Sequence, residues 1–167
     1  MRFDERSMPD MLVKLYGLPD LGDALAKAAR ARVEVRRPNP WEKAPLIAWI
    51  GEIFNAAWAA ECEAAFATNP PSCFIAKSDD GIVGFACHDC TRRNFFGPTG
   101  VAESSRGKGI GRALLLSCLH AMSANGYAYA IIGGVGPADY YAKAVGAISI
   151  EGSSPGIYDH GRAIQRN

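Results

Sequence analysis

Hydrophobic and polar positions follow two different periods along this chain. From Arg32 to Arg37 charged residues alternate with valine, a pattern typical of a half-buried strand. Between Trp41 and Phe54 the apolar residues recur at helical spacing, and the alanine-rich stretch 55–67 continues with the same period. Proline-containing breaks separate these segments. We therefore expect a strand followed by two helices.

The second half of the chain predicts strands and helices in turn. Strands are expected over residues 72–77, 82–88, 95–102, 127–132, 147–151 and 156–164, and helices over residues 110–124 and 138–145. The segment 127–132 is apolar, which predicts a strand buried on both faces. This order of elements indicates an α/β protein that has a mixed sheet with helices on both faces.

The first 31 residues follow a less regular pattern. Residues 11–16 fit either an extended or a helical segment, whereas the alanine-rich stretch 21–31, with Leu21 and Leu25 four apart, predicts a helix. We treat residues 1–31 as an N-terminal extension. It is an addition specific to this kind of protein, a packing arm, or the remnant of another domain.

Composition and charge narrow the range of functions. The 167 residues are 49% hydrophobic and 21% charged, which fits one globular domain. The formal net charge of +1, without a basic run interleaved with aromatic residues, indicates no nucleic-acid partner. No apolar stretch approaches the ~20 residues of a membrane span, and the N-terminus lacks the apolar core of a secretory signal. We therefore expect no membrane association, a cytoplasmic location and five reduced cysteines.

A glycine-rich loop between the strand 95–102 and the helix 110–124 is the strongest candidate for a binding site. Gly107, Gly109 and Gly111 fall within five residues, so the backbone can turn tightly and adopt positive φ. The first amides of the following helix lack an intrahelical partner, and the helix dipole is positive there. Three basic residues flank the loop: Arg106, Lys108 and Arg112. A ligand-free turn would have no structural use for these charges, so we expect a phosphate or pyrophosphate site.

The spacing of the loop distinguishes three kinds of phosphate site. It lacks the Gly-Lys-Ser/Thr ending of a Walker loop, and Arg112 or Leu114 stands where a dinucleotide fingerprint needs its third small residue. Arg106, Gly109 and Gly111 instead match the pattern Q/R-x-x-G-x-G/A. With a strand before it and a helix behind it, this motif resembles the acyl-CoA pyrophosphate loop of the GNAT superfamily, the GCN5-related N-acetyltransferases.

The resemblance implies an acyl-CoA N-acyltransferase domain over residues 32–167, with a GNAT-like, mostly antiparallel central sheet. It also implies acetyl-CoA (CoA) as the co-substrate, without a metal ion. In that superfamily the strand before the loop binds the pantetheine arm as an added strand would, and the loop amides hold the pyrophosphate. The cofactor-binding residues implied here are Gly100, Val101, Ala102, Arg106, Gly107, Lys108, Gly109, Ile110, Gly111 and Arg112.

The helix 138–145 carries a second resemblance. In the superfamily's closing helix a tyrosine lies near the acyl-CoA sulfur, where it can protonate the departing thiolate. Tyr141 matches that tyrosine as the catalytic acid. However, the spacing between Tyr141 and Gly146 is one residue longer than in the commonest form of the superfamily pattern, so Tyr140 stays a second candidate. The asparagine that often precedes this helix is absent, because residues 133–136 are Gly-Gly-Val-Gly.

No residue stands out as a general base, and five candidates stay open: Glu61, Glu63, His88, Asp89 and Glu103. Cys87 and Cys90 have the spacing of a metal or redox pair. They would diverge in a regular strand, however, and no second pair completes a four-ligand site. Three tryptophans at helical spacing predict a core or the wall of an acceptor pocket: Trp41, Trp49 and Trp58.

Together these features predict an N-acetyltransferase that moves an acetyl group from acetyl-CoA to a primary amine by direct attack in a ternary complex. The alternative is a non-catalytic acyl-CoA-binding or regulatory domain of the same fold, because the tyrosine spacing is unusual. The acceptor is a small-molecule amine or a peptide, whose identity the sequence does not give. A homodimer is an open option for the assembly.

Overall fold

A computed structural model describes residues 8–158 of the chain. The strands of this part are β1 (Met11–Lys14), β2 (Glu34–Arg36), β3 (Cys73–Ser78), β4 (Gly81–His88), β5 (Phe95–Val101), β6 (Tyr129–Ile132) and β7 (Ile148–Ser149). Its α-helices are α1 (Leu21–Arg30), α2 (Lys43–Ile53), α3 (Ala56–Ala64), α4 (Ile110–Ala124) and α5 (Ala138–Val145). None of these helices is long and apolar enough to cross a bilayer.

The described strands form one sheet in the order β2-β3-β4-β5-β6-β1-β7. Every neighbouring pair is antiparallel except β5 and β6, which run parallel. A parallel pair needs a long crossover connection, and α4 supplies it. The prediction of a mixed, mostly antiparallel central sheet is confirmed.

The two faces of the sheet bury different sets of side chains. On β3, Cys73 and Ile75 pack in the cluster of α2 and α3, whereas Phe74 and Ala76 belong to the cluster that contains α4. This alternation is the period-2 pattern of a strand that is buried on both sides. Tyr141 of α5 also packs on the α4 side. Helices therefore cover both faces of the sheet, as predicted.

The helix α4 lies at the centre of the core. Nine of its residues are buried, so it is apolar on most of its circumference. Part of this surface packs on the sheet, while Ala113 and Leu116 pack on Ala24 and Ala28 of α1. Small residues on both helices let their axes approach closely. This contact holds α1 beside the first turns of α4.

The N-terminal extension contributes a strand to the interior of the sheet. β1 lies between β6 and β7, with Val13 opposite Ala130, and Val13 is fully buried. Residues 11–14 are therefore extended rather than helical, and the helix expected over 21–31 is confirmed as α1. The extension and the residues after position 31 therefore share one sheet and one hydrophobic core.

Three expectations for the end of the chain need correction. The strand expected over 127–132 is β6, but it is buried on one face only. Tyr129 on its other face is 44% exposed, because α2 and α3 pack elsewhere on the sheet. The strand expected over 147–151 is reduced to β7, which pairs with β1. Residues 156–158 form a 3₁₀ turn rather than a strand, and residues 159–164 lie outside the described range.

The variant Val13→Ala tests whether β1 belongs to the structural core. Because the valine is fully buried beside Ala130, losing two methyl groups should lower the free energy of unfolding by about 2 kcal/mol. Urea denaturation followed by circular dichroism measures this loss. The matched control is Lys14→Ala, which changes an exposed residue of the same strand and should shift stability by less than about 0.5 kcal/mol. Wild-type stability of the Val13 variant would contradict the placement of β1.

Candidate functional site

β5 and β6 separate after a very short stretch of pairing. Phe96 lies opposite Ile132 at the end of this pairing, and β5 then continues to Val101. Among the described residues no strand pairs with this second part of β5 on the β6 side. We call the resulting opening beside residues 97–101 the β5–β6 gap. It exposes the polar edge of a strand within the interior of the sheet rather than at its rim.

Val101 directs its backbone polar groups into the β5–β6 gap. The amide of Ala102 donates to the carbonyl of Val83 on β4 at 2.8 Å. Because successive residues of a strand direct their polar groups to opposite edges, the N–H and C=O of Val101 point away from β4. The Val101 carbonyl accepts a hydrogen bond from Nε of Arg106 at 3.1 Å, which agrees with this orientation. The Val101 edge can therefore bind an extended, amide-containing ligand as an added strand.

The loop between β5 and α4 has the backbone shape of an anion site. Gly107 and Gly109 adopt φ values of 79° and 80°, in the left-handed region that favours glycine. Ile110 is buried and anchors the start of α4. The amide of Ala113 donates to the carbonyl of Gly109, so the amides of residues 110–112 precede the first helical hydrogen bond. These amides and the positive end of the helix dipole suit a phosphate group.

The basic side chains around the loop are partly engaged in the fold. Besides the bond from Arg106 to Val101, Nη1 of Arg112 donates to the carbonyl of Ala144 at 3.1 Å. The expectation that these charges have no structural use is therefore wrong for Arg106, which ties the loop to β5, and for Arg112, which ties α4 to the end of α5. Lys108 is exposed at the tip of the loop. Each guanidinium retains N–H groups that can meet an anion.

Gly100 allows the α2–α3 junction to approach β5 closely. A Cβ atom on Gly100 would lie 2.5 Å from Cζ of Phe54, so the ring fits only above a glycine. Phe54 also packs on three other aromatic side chains: Trp49, Trp58 and Phe85. Two of the three tryptophans thus lie in an aromatic cluster on the α2–α3 side. Trp41 is 77% exposed, so the expectation of a core or pocket-wall position is wrong for this residue.

Tyr140 and Tyr141 have different surroundings. Tyr141 is buried with its ring 6.4 Å from that of Phe96, and burial, followed by the neighbouring Tyr140, raises the pKa of Tyr141 to about 12. Tyr140 is 42% exposed and packs edge-on against Tyr141 at 5.2 Å. Burial also raises the pKa of Tyr140, while Arg112 lowers it. Both phenols therefore keep their protons at neutral pH, and Tyr141 contacts the residue at which the β5–β6 gap begins.

A tyrosine that the sequence did not suggest lies on the opposite side of the same region. The hydroxyl of Tyr158 lies directly against Gly133, the residue that follows β6. Glu61 of α3 accepts a hydrogen bond from Oγ1 of Thr91. Burial, and then the carboxylates of Glu61 and Asp10, raise the pKa of Tyr158 to about 12. Nothing in the local sequence marks Tyr158, because its position depends on the packing of distant segments.

The three glutamates among the candidate bases lie in different places. Glu61 is half-buried, and its charge acts on Tyr158 beside the end of β6. Glu63 is exposed and forms an ion pair with Lys43 at 3.2 Å. Glu103 is exposed in the 3₁₀ turn before the loop. Of the three, Glu61 has the position that best suits contact with a ligand in the gap.

His88 and Asp89 form a hydrogen-bonded pair in which the imidazole is buried. Nδ1 of His88 lies 2.8 Å from Oδ2 of Asp89, and the amide of Asn94 donates to Oδ1 of the same carboxylate at 2.7 Å. His88 is only 2% exposed, and its Nε2 is buried without a hydrogen-bond partner among the described residues. Burial lowers the pKa of His88, with a smaller contribution from Arg37, while Asp89 opposes the shift. These features suit a neutral structural imidazole better than a base that meets an amine.

Cys87 and Cys90 lie closer together than the strand pattern suggests. β4 ends at His88, and Asp89 adopts a φ of 56°, which turns the chain so that Cys90 packs on the same cluster as Cys87. The expectation that the two side chains diverge is therefore wrong. Across residues 8–158, no three His, Cys, Asp or Glu side chains come together in a group that could hold a metal ion.

The fold and the loop define an α/β protein in which a glycine-rich strand–loop–helix unit lies beside an open strand edge. The chain matches the model of the Acetyltransferase (GNAT) family over residues 31–146, which is more than half of its length. The chain belongs to the GNAT acetyltransferase family. No curated protein sequence matches it.

Solved structures share the fold. The GCN5-related glucosamine N-acetyltransferase region of a fungal multi-domain GH3 β-N-acetylglucosaminidase aligns with a TM-score of 0.69 and 16% identity, covering 85% of this chain and 19% of that one. A GCN5-related N-acetyltransferase from Sphaerobacter thermophilus aligns with a TM-score of 0.66 and 18% identity, covering 85% of this chain and 48% of that one. A GNAT family N-acetyltransferase from Escherichia coli in complex with CoA aligns with a TM-score of 0.46 and 20% identity, covering 57% and 59% of the two chains. The chain thus spans less than half the length of the first two structures, and at their identities the likeness to those two establishes the fold alone.

The variant Gly100→Ala tests the close contact between β5 and the α2–α3 junction. A Cβ atom 2.5 Å from the Phe54 ring forces the ring or the strand to move, which should destabilise the protein by about 1–3 kcal/mol. The melting temperature, followed by circular dichroism, measures the effect. Gly51→Ala is the matched control, because its Cβ would lie 3.8 Å from Ala59 and alanine favours the helix. An unchanged melting temperature for Gly100→Ala would contradict the contact.

The buried imidazole of His88 predicts a loss of stability in mild acid. Its folded-state pKa is lowered, so the unfolded chain binds the proton more readily, and stability should fall as the pH drops through the unfolded value near 6.5. His88→Asn keeps a nitrogen near Asp89 and removes the titration. Melting temperatures at pH 7.5 and pH 5 should therefore differ less for this variant than for the wild type. Equal differences would show that His88 does not titrate on unfolding.

Proposed function

We propose that this protein transfers an acetyl group from acetyl-CoA to a primary amine by direct attack within a ternary complex. The observation that carries the proposal is the glycine loop at the start of α4, next to the open edge of β5, in a chain of the GNAT family. Acetyl-CoA supplies the activated thioester when bound. The residues of this chain supply the binding surfaces, a hydrogen-bond donor for the thioester carbonyl, and an acid for the leaving group.

The donor site is proposed to consist of residues 100–102 and the loop 106–112. A Cβ atom on Gly107 would meet nothing within 4 Å, so the loop backbone is open to a bulky anion. The backbone amides can hold a pyrophosphate, and Arg106 and Lys108 add positive charge. On the strand, the edge of Val101 can pair with the amides of a pantetheine arm. These features fit an acyl-CoA ligand.

The N–H of Val101 is the proposed hydrogen-bond donor to the thioester carbonyl. It points into the β5–β6 gap because the neighbouring Ala102 bonds to β4. A backbone amide held by a sheet cannot relax far, so it is already oriented toward the oxygen on which negative charge develops. The bond from Arg106 to the Val101 carbonyl helps to hold this peptide in place.

Tyr141 is proposed as the acid that protonates the departing thiolate. Its ring contacts Phe96, where the gap begins, and its raised pKa keeps the phenol protonated at neutral pH. A thiolate that leaves a thioester requires a proton, and a phenol within hydrogen-bond reach can provide it. Tyr140 is more exposed and packs on the outer side of Tyr141, which favours Tyr141 for this role.

The acceptor amine is proposed to reach the gap from the α2–α3 side. Glu61 and Tyr158 lie there, next to the end of β6, and the Phe54 ring covers Gly100. An amine attacks only in its neutral form, so a carboxylate near the gap can take up the proton. Glu61 is the candidate base that this placement supports, directly or through a water molecule.

The variant Tyr141→Phe tests the proposed acid, because it keeps the buried ring and removes only the hydroxyl. Turnover, followed as CoA release against a panel of primary amines, should fall by about 100-fold. Acetyl-CoA affinity, measured by calorimetry, should stay at the wild-type value. The matched control Tyr140→Phe should retain most of the turnover.

Two results would contradict parts of this account. Turnover that survives Tyr141→Phe but not Tyr140→Phe would assign the acid to Tyr140. A wild-type protein that binds acetyl-CoA but releases no CoA with any amine of the panel would contradict the transferase proposal. That outcome would instead support a non-catalytic acyl-CoA-binding domain.

A further inference from the structure

A cavity of about 350 Å³ lies between α1 and the start of α4, directly beside the glycine loop. Its charged lining residues are Asp20, Asp23, Lys27, Arg30 and Arg112, and Gly109 of the loop also borders it. Asp20 directly precedes α1, and Asp23, Lys27 and Arg30 belong to this helix. These four residues come before residue 31, where the family match begins. The extension therefore adds a wall to the loop that the matched family domain does not contain.

Lys27 lies across the loop itself. Cδ and Cε of Lys27 would be 2.9 Å and 3.1 Å from a Cβ atom on Gly109, so the lysine stem occupies the space that a larger loop residue would need. The packing of Ala24 and Ala28 on α4 fixes the helix face from which Lys27 projects. The lysine stem therefore lies against the loop, which places its ammonium group close to Gly109.

Within the part of the chain that the structure describes, the basic side chains that α1 contributes to the cavity form no direct contact with a polar partner. Across residues 8–158, neither Lys27 nor Arg30 has an ion pair or a hydrogen bond through its side chain. They lie one helical turn apart and Arg112 adds a third positive charge, while Asp23, four residues before Lys27, offsets part of this charge. The acidic residues lie toward the start of α1, where the carboxylate of Asp20 caps the helix by accepting from the amide of Asp23. Such a group of cations at an anion-binding loop is stabilised when a phosphate group binds between them.

We propose that α1 is part of the donor site, with Lys27 and Arg30 binding phosphate groups of the CoA that the loop holds. The inference rests on the proposed function and extends it to a helix outside the family match. CoA carries a pyrophosphate and a 3′-phosphate at its nucleotide end, so it offers enough negative charge for the loop and for both side chains. On this account the extension both completes the sheet through β1 and contributes affinity for the donor through α1.

Calorimetric titration of the full chain with CoA tests this inference. Lys27→Gln/Arg30→Gln should weaken CoA binding by roughly tenfold or more, and the salt dependence of the remaining affinity should be smaller. Glutamine is a good helix former and both positions are exposed, so the melting temperature should stay unchanged. The control Lys14→Gln/Arg93→Gln removes the same charge from exposed positions away from the cavity, and its affinity should stay within about twofold of wild type.

Repeating the titration with 3′-dephospho-CoA identifies the phosphate involved. If the Lys27/Arg30 variant loses less affinity for 3′-dephospho-CoA than for CoA, the contact is with the 3′-phosphate. If it loses the same affinity for both ligands, the contact is with the pyrophosphate. Both results support the proposal. Wild-type CoA affinity in the Lys27/Arg30 variant would overturn the role of α1 and leave the proposed function intact. A wild-type protein that does not bind CoA at all would instead overturn the proposed function, and this inference with it.

Discussion

The incomplete pairing of β5 with β6 is the constraint on which the rest of the site depends. The two strands share hydrogen-bonded positions only up to Phe96, and beyond that residue β5 has a partner on one edge alone within residues 8–158. The opening leaves the Val101 peptide directed away from β4, and the glycine loop follows it immediately. Tyr141 approaches the opening from one face of the sheet and Tyr158 from the other. Were the strands paired along their full length, the loop would remain but the strand edge beside it would be closed.

The elements around the opening are held by contacts that come from distant parts of the chain. β1 pairs with β6 on the side away from the gap, and Arg112 connects the first turn of α4 to the last turn of α5. Arg106 connects the loop to β5. These contacts give the basic residues a structural role in addition to any electrostatic one. They also make the N-terminal extension part of the framework that positions the loop.

Much of the fold could be predicted from the sequence because its signals are local. The helical period and the glycines before it give α4 its observed bounds, and the Asp79-Asp80-Gly81 turn marks the β3–β4 hairpin. β1 could not be placed in this way, because a four-residue strand acquires its position only by pairing with β6, more than a hundred residues later. Tyr158 was missed for the same reason. The two adjacent tyrosines of α5 could not be ranked until their burial was known.

The site shows the same division between local and long-range information. Residues 106–111 carry the anion-site pattern within a single stretch, and the structure gives that stretch the positive φ values at Gly107 and Gly109 that such a loop needs. The position of Lys27 beside the loop depends on how α1 packs against α4, which no local pattern encodes. The candidate base also depends on long-range packing, because only its position next to Tyr158 distinguishes Glu61 from the other candidates.

Amide hydrogen exchange with and without acetyl-CoA tests the central claim most directly. If the donor binds along the open edge of β5 and on the glycine loop, exchange should slow within residues 97–112, including the amide of Val101, and should change little in the exposed turn at residues 79–80. Unchanged exchange across residues 97–112 in the presence of saturating acetyl-CoA would contradict the account, and so would protection confined to another part of the chain.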